Sequence, residues 1–301
     1  MYRRLLRATA GAAALLALAA APAAAQDSVE KTTRTLTLGE TSVQVNVYEK
    51  RGARVTFFAP HHNEQVAPAA AREAVGKYGG RLVELVALDD KGQPARRLRF
   101  SLRGKPYSLD PNRIFTEQGR RCNVAPEAEP AARGFAEALL EIVFAPGGRR
   151  LREGESFLVA VHNNTDSDER SVTDRAGDLT AVAFASAAAA RGVSSGDFHA
   201  SAAGVYLSNR EPDEDNFVIV TTPRLLGGFA ERGFNVVVQK PAAELRGGGC
   251  EIDDGSLSVY AALQDIPYVN LEADIRKGAQ RQREMLEAVY QLLPKSNAAV
   301  K

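Results

Sequence analysis

Two short apolar runs, each cut off by a histidine, constrain this chain more than any other feature. The first is Val55-Thr56-Phe57-Phe58, after which Ala59-Pro60 leads at once into His61, His62, Asn63 and Glu64. The second is Phe157-Leu158-Val159-Ala160-Val161, followed by His162, Asn163 and Asn164. Runs this short, rich in β-branched and aromatic residues, read as buried strands. Open α/β sheets gather their ligands outside the carboxyl ends of the strands. Two strands that each end in histidine can therefore bring both imidazoles to one point. His61 and Glu64 also form H-x-x-E, which lets an imidazole and a carboxylate reach one zinc ion. The chain has only four histidines, at 61, 62, 162 and 199; His62 and His199 are read as non-ligands. Two histidines and a glutamate leave a fourth zinc position open to water, the pattern of a catalytic site.

The rest of the chain alternates strand and helix patterns. Residues 32–49 and 97–109 read as β-hairpins, turning at Gly39-Glu40-Thr41 and at Gly104-Lys105. Strands are expected at 54–58, 82–88, 157–161, 180–185, 205–208, 217–221, 235–239 and 268–273. Helices are expected near 66–78, 130–144, 223–232, 256–264 and 280–293. Strands interleaved with helices, together with hairpins, predict one α/β domain: a twisted mixed sheet sandwiched between helices. The stretches 165–175 and 213–215 read as solvated loops.

Arg3, Arg4 and Arg7 precede an alanine-rich apolar run, and Ala23-Ala24-Ala25 offers an A-x-A cleavage site. Residues 1–25 thus read as a secretory signal peptide cleaved after Ala25, leaving 26–301 as one domain in a secreted or periplasmic location. The apolar run is short for a membrane anchor, and no later stretch is long and apolar enough to span a bilayer. Lys and Arg total 38 against 37 Asp and Glu, so no bulk charge points to nucleic acid. Nothing in the sequence sets an oligomeric state. Cys122 and Cys250 are the only cysteines, and an even pair in an oxidising compartment is expected to be bridged. Two thiols cannot make a four-thiolate site, so a bound metal would be held by histidine and carboxylate.

Asp110-Pro111-Asn112-Arg113 lies between the two histidine clusters. Asp-Pro-Asn is good turn chemistry, while an arginine fork beside an asparagine can also grip a carboxylate. Glu272 interrupts the apolar strand Pro267–Ala273, so it faces either solvent at an edge or a site.

In this order, His61/Glu64, Asn112-Arg113, His162 and Glu272 resemble the zinc carboxypeptidase superfamily, including its aspartoacylase and succinylglutamate desuccinylase branch. Ala59-Pro60-His61-His62-Asn63-Glu64 is similar to that branch's G-x-H-G-N-E, with Ala59 and His62 in place of two glycines. Val161-His162-Asn163-Asn164-Thr165 is similar to its D-L-H-N-T, without the aspartate. The resemblance implies a carboxypeptidase-like fold and one zinc ion on His61, Glu64 and His162. It implies that Asn112 and Arg113 bind a terminal carboxylate and that Glu272 serves as general base and acid. The family places a further arginine near the metal; Arg97, Arg99, Arg103 and Lys105 compete for that part, and Arg103 is the choice. The peptidase branch has a tyrosine in a region that here reads Gly247 to Asp254 and contains none.

The implied activity is a zinc-dependent amide hydrolase acting on a small peptide or N-acyl amino acid with a free carboxylate. In a bacterial envelope, peptidoglycan stem peptides are a natural substrate. The alternatives are an N-acyl amino acid deacylase and a zinc-bearing binding protein without turnover. An intact Glu272 separates the enzyme from the binding protein.

Overall fold

Strands β1 (Glu30–Leu38) and β2 (Thr41–Lys50) form the expected first hairpin. It turns at Gly39, whose φ of 60° suits a residue without Cβ. Val43, Val45 and Val47 are buried along one face of β2, as the period of two requires. The computed structural model describes residues 28–144, 157–164, 193–194 and 201–292, apart from 212, 214 and 223. Residues 1–25, the strand expected at 180–185, the polar run 165–175 and His199 lie outside the described residues.

Beyond the hairpin come β3 (Val55–Ala59), α1 (Val66–Tyr78) and β4 (Gly80–Leu85). A second hairpin, β5 (Leu98–Leu102) and β6 (Lys105–Leu109), stands apart from the main sheet. Its turn residues Arg103 and Gly104 both have positive φ, 52° and 70°, as a two-residue hairpin turn demands. Two helices follow, α2 (Glu117–Asn123) and α3 (Glu129–Phe144), then β7 (Phe157–Asn164), β8 (Val193–Ser194), β9 (Ala202–Tyr206) and β10 (Phe217–Val220). The chain continues through α4 (Arg224–Glu231), β11 (Asn235–Gln239), α5 (Ala242–Leu245), α6 (Leu257–Leu263), β12 (Tyr268–Asp274) and α7 (Ala279–Leu292).

Among the described residues the main sheet has ten strands in the order β1-β2-β4-β3-β7-β12-β10-β11-β9-β8. Strands β4, β3, β7 and β12 run parallel to their neighbours in that sequence, and antiparallel pairs flank them, so the sheet is mixed. The α/β expectation of a single mixed sheet between helices is met. Helices α2 and α5 were not expected; both are short and lack the apolar periodicity that marks a helix in sequence.

Alternation along the central strands divides the core in two. Phe58, Leu158, Ala160 and Tyr268 join one cluster, with residues of α3, α6 and the β5–β6 hairpin. Phe57, Val159, Val161 and Leu271 join the other, with residues of α1, α4 and α7. Phe57 and Phe58 are fully buried, each contributing roughly 1.5–3 kcal/mol of apolar burial. This packing fixes where β3, β7 and β12 end. Cys122 of α2 is bonded to Cys250, with Cα atoms 5.8 Å apart across a sequence separation of 128. The expected bridge therefore pins the glycine-rich loop before α6 to α2. In the chain-entropy account, closing such a loop stabilises by at most about 4–5 kcal/mol. Among the described residues, no helix is long and apolar enough to cross a membrane.

Candidate metal centre

Strands β3, β7 and β12 are adjacent and parallel, so their carboxyl ends open on the same side of the sheet. Pro60 follows β3 and carries no N–H to extend the ladder. The chain then turns, with the Glu64 amide donating to the His61 carbonyl at 3.3 Å. His162 lies two residues before the end of β7, directly opposite Glu272 of β12 in the parallel register. Register partners on neighbouring strands present their side chains to the same face.

Three side chains converge at these ends. His61 Nδ1 lies 2.7 Å from Glu64 Oε1, and His162 Nδ1 lies 3.0 Å from Glu64 Oε2. The two imidazoles meet edge to face with centroids 5.0 Å apart, and all three residues are buried. One ligand atom from each lies within 4.8 Å of the others, a group that could hold a metal ion.

The surroundings orient these groups. Asp110 Oδ1 accepts from His61 Nε2 at 2.9 Å and from the Asn112 amide at 2.8 Å. Arg96 spans the cluster, donating from Nη1 to Glu64 Oε1 at 2.9 Å and from Nε to Asp110 Oδ2 at 3.2 Å. The Asn163 amide donates to Glu64 Oε2 at 3.1 Å, and its side-chain oxygen accepts from Ala67 at the start of α1.

Charge settles the protonation pattern. Burial alone would lower the His61 pKa, but Glu64 and Asp110 raise it to about 9. Burial pushes the Glu64 carboxyl up, yet His61 and His162 hold it well below the usual carboxylate range. Asp110 behaves alike, with burial outweighed by its hydrogen bond to His61 and by Arg96 and Arg113. Burial raises the Glu272 carboxyl above its ordinary value; Glu64 adds to this, while His162, the Asn270 amide and Arg96 oppose it.

These residues fit a cation. Two imidazole nitrogens face one carboxylate, an arrangement that needs a proton or a metal ion between donor and acceptor. With Nε2–H of His61 given to Asp110, Nδ1 is the nitrogen left for a ligand bond, the carboxylate–histidine pattern that supports metal-bound imidazoles. His162 Nε2 is buried without a hydrogen-bond partner among the described residues.

The other sequence candidates are placed as follows. Asn112 is buried, its Oδ1 accepting from the Leu257 amide at 3.0 Å. Arg113 is half-buried, donating to the Asn112 carbonyl at 2.8 Å, with Nε 3.6 Å from Asp254 Oδ2. Glu272 accepts from Asn270 Nδ2 at 2.8 Å. Arg103 is not brought to the cluster: it is exposed at the β5–β6 turn, where its amide donates to Glu40. Arg97 bonds Ser108 and Arg99 bonds Asp90 on the outside of the same hairpin. Arg96 takes the place by the cluster instead. Arg96 lies in the bend before β5, outside the strand's alternation, and its side chain reaches the cluster while staying 42% exposed. Asp110, read only as a turn residue, both caps the Pro111–Arg113 turn and orients His61. His62 turns away to the Ala87 carbonyl at 2.7 Å.

No family model and no curated protein matches the chain. Among solved structures it is similar to a proposed metallopeptidase of Shewanella denitrificans OS217, at 12% identity and TM-score 0.36, covering 87% of this chain and 85% of the other. A proposed metallopeptidase of Shewanella baltica OS155 gives 11% identity and TM-score 0.36, with the same coverage of 87% and 85%. A proposed carboxypeptidase of Burkholderia mallei ATCC 23344 gives 12% identity and TM-score 0.38, covering 86% of this chain and 63% of the other. Likeness at this level leaves the chemistry of the chain to its own residues.

Proposed function

We propose that this chain is a zinc-dependent amide hydrolase of carboxypeptidase type, cleaving a small peptide or N-acyl amino acid with a free carboxylate. The observation that carries the reading is the meeting of His61, Glu64 and His162 at the ends of two central strands, with Glu272 in register beside His162. Residues 1–25 would direct the chain out of the cytoplasm, where peptidoglycan-derived peptides are within its reach.

His61, Glu64 and His162 would hold the ion, and zinc bound there supplies Lewis acidity and a water acidified toward neutral pH. The remaining work falls to the chain. Asp110 keeps His61 in one tautomer through the 2.9 Å bond to Nε2. Arg96 puts a guanidinium beside Glu64, where it can also stabilise negative charge developing on a scissile carbonyl. Arg113 offers the fork for the substrate carboxylate, and the Asn112 carbonyl and Asp254 hold that fork in place.

Glu272 is suited to carry a proton. Burial raises its carboxyl above the ordinary value, which moves a carboxylate toward the range where general acid–base catalysis is efficient. It would accept a proton from the attacking water and deliver one to the leaving nitrogen. The test is Glu272→Gln, which preserves shape and removes the exchangeable proton. Zinc content and folding should not change, while turnover of the best amide substrate should fall by about 10²–10⁴. Turnover at the wild-type rate would remove Glu272 from the mechanism.

A further inference from the structure

Asn163 follows His162 on β7, and the proposed hydrolysis gives its side chain no part. The residue is buried, and a buried amide needs partners for both its donor and its acceptor. Alternation sends its side chain to the face of β7 opposite His162. Three hydrogen bonds leave this one residue. Its main-chain amide donates to Glu64 Oε2 at 3.1 Å. Its Oδ1 accepts from the Ala67 amide, in the first turn of α1, at 2.8 Å. Its Nδ2 donates to the carbonyl of Ala273, its register partner on β12, at 3.2 Å. That last bond fixes which way the amide faces, so the oxygen is held toward α1.

The first turn of a helix carries N–H groups with no partner inside the helix. Gln65, at the N-cap of α1, makes no side-chain cap; its amide nitrogen donates to the His62 carbonyl instead. The cap for Ala67 comes from β7. Only Gln65 and Val66 separate Glu64 from Ala67, so holding α1 at Ala67 also holds the backbone that carries Glu64. One residue therefore grips Glu64 twice. The Asn163 amide takes its carboxylate, and the Asn163 side chain takes the chain just beyond it. Because Asn163 is also joined covalently to His162, the same residue ties one member of the metal cluster to another.

We propose that Asn163 is a positioning residue for the metal centre: by capping α1 from β7, its side chain sets Glu64 at ligand distance from His61 and His162. The inference rests on the metal-site reading and adds to it a side chain that acts through Glu64 rather than on the ion. Without the cap, the Ala67 amide loses its acceptor and the start of α1 is free to shift. Glu64 then moves with it, while His162, fixed in the strand, does not. The spacing of the ligand atoms changes although the fold is kept.

The test uses the full chain, freed of metal and titrated with zinc against a chelator. Asn163→Ala should weaken zinc binding by about 10–100-fold, as loss of a group that orients a ligand does. Cobalt in place of zinc reads the geometry, because its visible absorption follows the ligand arrangement; the band should shift in Asn163→Ala. Ala67→Pro is the second variant. Proline is tolerated in the first turn of a helix and lacks the N–H that Asn163 accepts, so this variant should weaken zinc binding to a similar degree with Asn163 in place. The double variant should bind zinc about as well as Asn163→Ala alone, since both changes break one contact. Leu139→Ala, a core truncation on α3, should lower Tm and leave zinc affinity and the cobalt band unchanged. Wild-type affinity and cobalt band in Asn163→Ala or in Ala67→Pro, additive losses in the double variant, or an equal loss in Leu139→Ala overturn this inference and leave the metal site standing. A wild-type chain that binds neither zinc nor cobalt overturns both.

Discussion

Asp110→Asn tests whether the hydrogen bond behind His61 belongs to a metal site. The substitution keeps an oxygen for His61 Nε2 and for the Asn112 amide, which Asp110 Oδ1 serves at 2.9 and 2.8 Å. It removes the negative charge and can place an NH₂ group where Oδ2 now faces Arg96 Nε at 3.2 Å. Glu64 and Asp110 together carry His61 from an ordinary 6.5 to about 9, which corresponds to about 3 kcal/mol of preference for the charged ring. Losing the Asp110 share should move the metal-free His61 pKa back toward 6.5, visible in the ring signals by NMR. The same carboxylate makes the ring a better ligand, and replacing such partners typically weakens metal binding by 10–100-fold, or about 1.4–2.7 kcal/mol. A competition titration against a zinc chelator at pH 7.5 reads this directly. Zinc affinity equal to wild type, with the His61 pKa unmoved, would refute the assignment of Asp110 to the centre.

Arg96→Ala should cut amide turnover by at least about tenfold, because it removes the guanidinium beside Glu64. Arg103→Ala, at the exposed hairpin turn, should leave turnover within about twofold of wild type; steady-state kinetics on both variants decides which arginine serves the site. Metal-free protein should also show a definite pH dependence of thermal unfolding. His61, raised to about 9, contributes stability that is complete below pH 6.5 and lost as the pH climbs through 9. Glu64, depressed from 4.5, contributes stability that is complete above pH 4.5 and lost as the pH falls. The chelated protein should therefore melt highest between about pH 4.5 and 6.5, and a Tm that keeps rising from pH 6.5 to 9 would contradict the assignment.

Much of this was legible in the sequence because it rests on local patterns. Val55–Phe58 is apolar but for Thr56 and Phe157–Val161 is apolar throughout, and only the middle of a sheet buries both faces of a strand. That fixed β3 and β7 as central and their terminal histidines as neighbours. Glu272 was legible as a carboxylate in an apolar strand, although its pairing with His162 needed the strand order. The choice of Arg103 failed for a physical reason. The resemblance did not decide among the four candidates; Arg103 falls at the exposed hairpin turn, and the guanidinium by the cluster comes from Arg96 in the bend before β5, a placement set by tertiary packing. Asp110 was hidden because a turn-capping carboxylate and an imidazole partner look alike in sequence, and here one oxygen serves both. The Asp254–Arg113 pair and the reach of Asn163 to the start of α1 depend on tertiary placement, which no spacing encodes.

The central claim is that His61, Glu64 and His162 bind a metal ion, and the zinc content of the chain purified without chelator tests it most directly. Atomic absorption on the wild-type protein should give about one zinc per chain. His162→Ala and His61→Ala should each lose most of it, while His62→Ala, whose ring is turned to the Ala87 carbonyl, should keep it. Folding is checked on each variant by circular dichroism. A wild-type chain that takes up no zinc, or full zinc retention in both His61→Ala and His162→Ala, would contradict the account.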